Sequence, residues 1–174
     1  MKKAIFLDRD GVINKIFIKN GLPFSPPTFD ELEILPGVKE AILRFKKKNF
    51  LCLLVTNQPD VSRGKIHKEI VIKMNNYLKE EIQLDDIFVC YHDDVDNCEC
   101  RKPKPGLILT ASKKWNIDLK NSYMVGDRSK DILAGINAGC KTIFINNNYK
   151  EVNNCKPNFV TDNLLNAVYI IEKN

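Results

Sequence analysis

Asp8-Arg9-Asp10-Gly11 sets two carboxylates two residues apart, directly after the apolar run Ala4-Ile5-Phe6-Leu7. Residues two apart on an extended chain face the same way, so Asp8 and Asp10 can point into one crevice at a strand's carboxyl end. Such a pair can divide a phosphoryl transfer between them. One carboxylate attacks phosphorus and carries an aspartyl phosphate, while the other protonates the leaving oxygen and later deprotonates water. Taken alone, the same residues also make an ordinary acidic turn closed by Gly11. A calcium loop fits less well, because a third acidic ligand is missing and the twelfth position from Asp8 is Lys19 rather than Glu.

Three more segments carry groups suited to phosphate. Val55-Thr56-Asn57-Gln58 offers a hydroxyl and nearby backbone donors that can hold a phosphoryl oxygen, although Thr-Asn is also a common way to leave a strand. Arg63-Gly64 follows at the start of the next helix, where the positive field favours an anion. In Arg101-Lys102-Pro103-Lys104-Pro105-Gly106 the prolines stiffen the backbone, so the two cations before Pro103 are held; a solvated basic turn is the plainer reading. Val125-Gly126-Asp127-Arg128 ends another apolar run. There Asp127 can complete a magnesium site with Asp8 and the Asp10 carbonyl, since magnesium takes few carboxylates and keeps water and substrate phosphate. Asp131, a helical turn beyond, is either a helix N-terminal acid or a support for that site.

A second cluster has different chemistry. Cys90-x-His92-x5-Cys98-x-Cys100 gathers three of the six cysteines and one of the two histidines. Three thiolates and an imidazole complete a tetrahedral zinc shell with no position left for water, which is the pattern of a structural site. Because it runs straight into Arg101 and Lys102, bound zinc would anchor both. His67 lies in a charged helix face, and Cys52, Cys140 and Cys155 read as buried or incidental thiols.

The elements that must position these groups alternate along the chain. Lys3 to Leu7, Phe50 to Val55, Ile87 to Tyr91, Ser122 to Val125 and Thr142 to Ile145 are continuous apolar runs of the kind found in buried parallel strands. Between them, helical stripes fall on Val38, Ala41, Ile42 and Phe45; on Ile66, Ile70, Met74, Tyr77, Leu78 and Ile82; and on Leu107, Ala111 and Trp115. Two more cover Asp131 to Ala138, stopped by Gly139, and Leu164, Leu165, Val168 and Ile171. The expected fold is therefore α/β: a three-layer, Rossmann-like parallel sheet with helices on both faces and ligands at the carboxyl ends of its strands. Asn14 to Pro36 breaks the rhythm with four of the eight prolines, and so long a loop is expected to work as a flap over the site. The Asn-rich stretch from Asn146 to Asn154 reads as a solvated loop, and no internal repeat is present.

With 174 residues, 44% hydrophobic and 28% charged, the chain is expected to form one domain over 1–174, with flap 14–36 and zinc loop 90–100. No apolar run approaches the roughly 18 residues needed to cross a bilayer. The short apolar stretch after Met1-Lys2-Lys3 is no signal-peptide core, so a cytoplasmic protein is expected. The net charge of +5 chooses no partner by itself. The lysines are dispersed and aromatic partners for bases few, which argues against nucleic acid. Only five of the 27 basic residues are arginine, and Arg9, Arg63, Arg101 and Arg128 fall in or beside the strand-end motifs.

Phe6-Leu7-Asp8-Arg9-Asp10-Gly11-Val12-Ile13-Asn14, Val55-Thr56-Asn57-Gln58, Cys100-Arg101-Lys102-Pro103-Lys104-Pro105-Gly106 and Val125-Gly126-Asp127 resemble the four motifs of haloacid dehalogenase superfamily phosphatases. The similarity runs from about Lys3 to Ile145. It implies a magnesium-dependent phosphomonoesterase with Asp8 as nucleophile, Asp10 as general acid and base, and Thr56 and Lys102 stabilising the transferring group. Asp127 would help hold magnesium, while Asn57, Gln58, Arg101 and Arg128 would contact a phosphorylated small-molecule substrate. Within the superfamily, Val12-Ile13-Asn14, Val61-Ser62-Arg63-Gly64 and Lys104-Pro105-Gly106 look like the heptose bisphosphate phosphatases. The short spacing from His92 to Cys98 looks like the histidinol-phosphate phosphatases, and both groups carry the zinc loop. The implied activity is removal of the 7-phosphate of D-glycero-D-manno-heptose 1,7-bisphosphate in the making of surface polysaccharide precursors, with histidinol-phosphate phosphatase as the alternative. A monomer without a separate cap domain is expected. A receiver-like signalling domain also uses an acidic cluster, a Thr and a Lys to accept phosphate on Asp, but has no need of Asp10 or the zinc loop.

Overall fold

Each apolar run becomes a strand because neighbouring runs bury both of its faces. The computed structural model describes residues 1–150 and 155–173. Its strands are β1 (Lys3–Leu7), β2 (Phe17–Lys19), β3 (Leu22–Phe24), β4 (Phe50–Asn57), β5 (Asp86–Cys90), β6 (Tyr123–Gly126), β7 (Lys141–Ile145) and β8 (Phe159–Thr161). The helices are α1 (Val38–Lys47), α2 (Lys68–Glu81), α3 (Gly106–Trp115), α4 (Ser129–Ala138) and α5 (Leu164–Glu172). Six strands form one parallel sheet in the order β5-β4-β1-β6-β7-β8. The expected α/β sandwich is thus present, extended by β8, whose three residues are too short to stand out in the sequence.

Alternation along the strands splits the core in two. Ile5 and Leu7 of β1 pack with Val38, Ile42 and Phe45 of α1, Leu78 of α2 and Val168 of α5. Ala4 and Phe6 face the other way, toward Leu107, Ile108 and Ala111 of α3 and Ala134 of α4. α2 departs from the expected stripe: Val71, Met74, Asn75 and Leu78 are buried whereas Tyr77 is exposed. A polar Asn in that row finds its reason at the site below.

β1 lies between β4 and β6, and the chain leaves β1 toward one edge of the sheet and β6 toward the other. This reversal is the switch point at which open α/β sheets leave a crevice beyond the strand ends. Asp8 follows β1 and Asp127 follows β6 on its two sides.

The segment 14–36 is not structureless. It folds back as the β2/β3 hairpin, paired from Phe17↔Phe24 to Lys19↔Leu22, followed by a single 3-10 turn at Phe29–Glu31. Asn20 and Gly21, with φ of 56° and 81°, make the two-residue turn that Asn-Gly favours in hairpins. That dipeptide was the available signal.

α4 approaches the sheet closely at Gly135, where a β-carbon would fall 2.6 Å from Met124 Cβ and 2.8 Å from the Thr142 methyl. Gly135→Val is expected to lower stability by about 1–3 kcal/mol through overpacking. The measurement is a reduced urea midpoint with unchanged m-value.

Candidate active site

The floor of the crevice buries three carboxylates around one ammonium. Lys102 Nζ lies 2.7 Å from Asp8 Oδ1 and 2.6 Å from Asp131 Oδ1, and also donates to the Val55 carbonyl at 2.9 Å. Asp8, Asp127 and Asp131 each bring one carboxylate oxygen within 4.8 Å of the others, and all three residues are buried. Burial, the Asp131 charge and Asp10 raise the Asp8 carboxyl to about 6 against the pull of Lys102. Burial and the charges of Asp131 and Asp8 push Asp127 well above its ordinary range. Asp127 Oδ1 is buried with no hydrogen-bond partner. An orphaned carboxylate oxygen among like charges is the environment a hard divalent cation completes, so the residues fit magnesium.

Asp10 is set apart from this cluster. Arg9 Nε and Nη2 bind its carboxylate at 3.1–3.2 Å, and Asn14, Gln58 and Ser25 donate to it at 3.0, 2.9 and 2.8 Å. Burial opposes ionisation, yet the Arg9 guanidinium and these donors outweigh it and hold Asp10 below the ordinary carboxylate range. Arg9 is 1% exposed and reaches Asn75 Oδ1 of α2 at 3.2 Å, which accounts for the buried Asn. Arg9 therefore braces Asp10 from behind rather than gripping phosphate. Gln58, expected against substrate, is likewise 3% exposed behind Asp10, donating to Thr56 Oγ1 at 3.0 Å and accepting from Arg9. Thr56 is buried at the end of β4. Asn57 faces the cavity, but its side chain brackets the Lys102 backbone, accepting from Lys102 N and donating to Lys102 O, both at 3.1 Å. These two bonds position Lys102.

Over this floor lies a cavity of about 310 Å³, with Asp8, Asp10 and Lys102 below and Leu22, Phe24 and Ser25 of the hairpin region above. Arg63, Arg101 and Arg128 also line it. Two aspartates of the metal loop, unremarked in the sequence, orient the first two of these arginines. Asp93 accepts both Nε and Nη2 of Arg63 at 2.6 Å, and Asp94 takes Arg101 at 2.8 and 3.2 Å.

The four metal-loop ligand atoms converge within 4.8 Å of one another, with Cys90 Sγ, for example, 3.6 Å from His92 Nδ1 and 3.0 Å from Cys100 Sγ. Burial raises Cys90, whereas at Cys98 it is outweighed by hydrogen bonds from Cys100 and the backbone, which bring that thiol down to about 7. Three sulfurs and one imidazole nitrogen at this spacing fit a tetrahedral zinc shell.

The loop after β7 differs from its reading as plain solvated chain. Asn147 and Tyr149 hydrogen-bond to Asp127 Oδ2. Residues 151–154 of the expected Asn-rich loop lie outside the described residues.

The HAD-hydrolase-like family model matches residues 99–167. The D,D-heptose 1,7-bisphosphate phosphatase of B. bronchiseptica, solved with magnesium and phosphate, superposes with a TM-score of 0.82 at 26% identity, covering 98% of each chain. The D-glycero-beta-D-manno-heptose-1,7-bisphosphate 7-phosphatase of Helicobacter pylori strain 26695 is 40% identical over 145 residues, 80% of both chains. The D-glycero-alpha-D-manno-heptose-1,7-bisphosphate 7-phosphatase of Campylobacter jejuni is 36% identical over 154 residues, 86% of this chain and 85% of that one. The chain belongs to this haloacid dehalogenase-like phosphatase family. As a member of the heptose-bisphosphate phosphatase family, it carries the motif residues at the strand ends where the crevice opens.

The raised Asp8 and Asp127 give a test of the cation site. Their folded pKa values lie above the ordinary 3.8, so at these two positions the metal-free native state holds protons more tightly than the unfolded chain. Their contribution to stability is lost as pH rises from about 4 toward 6 and beyond. A cation bound only by the native state restores stability, and must displace those protons to do so. Magnesium is expected to raise Tm more at about pH 7.5 than at about pH 5.5. Equal increments at both would count against these carboxylates as ligands.

Proposed function

We propose that the chain is a magnesium-dependent phosphatase that removes the 7-phosphate of D-glycero-D-manno-heptose 1,7-bisphosphate, as a step toward heptose precursors of surface polysaccharide. The observation that carries this reading is the buried Asp8–Lys102–Asp131 group beside Asp127, on the floor of a cavity of about 310 Å³ lined by Arg63, Arg101 and Arg128, in a chain 40% identical over 145 residues to a named enzyme of that activity. No helix among the described residues is long and apolar enough to cross a membrane. We read the chain as a cytoplasmic monomer of one domain, in which the 14–36 hairpin region and the 90–100 metal loop shape the pocket in place of a cap.

Asp8, Asp127 and the Asp10 carbonyl would hold magnesium, which when bound neutralises the carboxylates and the substrate phosphate so that anion can approach anion. Asp8 Oδ1 is engaged by Lys102, leaving Oδ2 to attack phosphorus. The phosphorus–oxygen bond to C7 breaks as Asp10 gives its proton to the leaving oxygen. Asp10 acquires that proton when the phosphate's negative charge, arriving beside it, opposes the pull of Arg9. Lys102 and the Thr56 hydroxyl stabilise the equatorial oxygens. Water then attacks the aspartyl phosphate, giving its proton to Asp10, and the bond to Asp8 breaks to release inorganic phosphate. Arg101 and Arg128 orient the rest of the substrate. A persistent phospho-aspartate, as in a receiver domain, would not suit a site with Asp10 placed to activate water.

With magnesium present, purified protein is expected to release phosphate over many turnovers from heptose 1,7-bisphosphate, with a higher kcat/KM than for fructose 1,6-bisphosphate or histidinol phosphate. Preference for histidinol phosphate would overturn the substrate. Asp8→Asn is expected to cut kcat by about a thousandfold or more with its circular dichroism unchanged.

Cys90, His92, Cys98 and Cys100 would hold one structural zinc that fixes the backbone entering Arg101 and Lys102. Elemental analysis is expected to find one zinc per chain. Cys100→Ser should lose zinc and lower both Tm and kcat; zinc-free wild type with undiminished activity would refute the assignment.

A further inference from the structure

The chain leaves β7 at Ile145 and turns back over the acidic floor through Asn146–Lys150, a loop that belongs to none of the four motifs. Tyr149 Oη donates to Asp127 Oδ2, and Asn147 Nδ2 lies 3.3 Å from the same oxygen. Asn147 Nδ2 also reaches the Gly11 carbonyl at 3.0 Å and Tyr149 Oη at 2.8 Å. Asn148, at φ 55°, makes the turn between them, with its N–H donating to Asn146 Oδ1 at 3.1 Å. On its far side the loop is pinned to the hairpin, where Lys150 N–H donates to the Gly21 carbonyl at 3.0 Å. Gly11, at φ 80°, has no room for a β-carbon, which would collide with the Asp127 carboxylate and the Tyr149 hydroxyl. The fit between loop, Gly11 and Asp127 is therefore close.

Asp127's two oxygens are treated unequally. Oδ2 is occupied by two neutral donors, while Oδ1 is buried and without a partner. Neutral donors suit a carboxylate that must still attract a cation. A Lys or Arg in their place would cancel its charge and repel the ion, whereas a phenol and an amide fix its orientation and leave the charge intact. Outer partners of this kind orient metal-binding carboxylates and support their affinity.

We propose that Tyr149, seconded by Asn147, is a positioning residue that locks the Asp127 carboxylate so that Oδ1 is presented to the divalent cation. The proposal rests on the reading of Asp8 and Asp127 as the cation site. It is tested by calorimetric titration of magnesium into the full chain, with zinc retained and magnesium removed beforehand. Tyr149→Phe, which deletes one hydroxyl, is expected to weaken magnesium binding by about tenfold, and Asn147→Ala by less. The Tm of the magnesium-free protein should stay unchanged, and kcat at saturating magnesium should return toward wild type, placing the defect in the apparent KM for magnesium. Wild type that binds magnesium alongside Tyr149→Phe within about twofold of it would overturn the positioning role. Tighter binding by the variant would overturn it too, because the hydroxyl would then be a competitor of the cation. Wild type that binds no magnesium would instead defeat the cation site itself, and the proposal with it.

Discussion

Three carboxylates and one ammonium cannot share a buried floor without a residual negative charge, and the architecture around the site manages that excess. Lys102 answers Asp8 and Asp131 together, which leaves Asp127 with only neutral donors and one unpartnered oxygen. Uncompensated buried charge costs several kcal/mol, so the metal-free protein meets it by raising the Asp8 and Asp127 carboxyls. Asp10, only two residues from Asp8, has the opposite treatment. Its partner Arg9 is itself buried and held by Gln58 and Asn75. One carboxylate is thereby held ionised, while burial among like charges raises its neighbours.

The sheet delivers these groups because of its order. Leu7 pairs with Leu54 on one side and Val125 on the other, so the segments that follow β1, β4 and β6 emerge at one level. Close approach then requires small residues at the exits. A β-carbon on Gly126 would strike the Asp131 side chain, and one on Gly11 the Asp127 carboxylate. Gly126 thus lets the first turn of α4 fold its acid back under Lys102, where Asp131 Oδ2 also accepts the Arg128 N–H at 3.0 Å. Asp131 serves at once as helix-start acid and as counterion, the two roles its spacing from Asp127 left open.

What the sequence made legible was what depends on local pattern. Continuous apolar runs marked five of the six sheet strands, and a short motif after four of them marked the floor. Gly139, at φ 84°, ends α4 where expected. What escaped depends on partners distant in the chain. Asn75 looks like a solvent-side residue of an amphipathic helix until Arg9, 66 residues away, is seen to need an acceptor. Gln58 sits in a motif yet turns inward, because a buried guanidinium and the Asp10 carboxylate claim both ends of its amide. Asn147 and Tyr149 were hidden in a polar stretch whose composition spoke for solvent. The Asn20-Gly21 turn was readable, but four prolines nearby argued more loudly for an irregular loop.

The arginines carry the last step. Four of the five lie in or beside the motifs, and the structure divides them. Arg9 is interior. Arg63 and Arg101 line the cavity, but each enters it already paired with a carboxylate of the metal loop. The Arg63 guanidinium and backbone bonds hold Asp93 down at about 2, and Arg101 lowers Asp94 still further, so both acids stay ionised across the neutral range. Part of the rim is therefore close to electrically balanced, and the +5 of the whole chain is not concentrated there. A balanced rim attracts anions weakly in general. An anion gains from these arginines only by meeting their remaining donors in the orientation that Asp93 and Asp94 impose. Selectivity at such a mouth comes from geometry, and that geometry is set by the same loop whose three cysteines and one histidine converge.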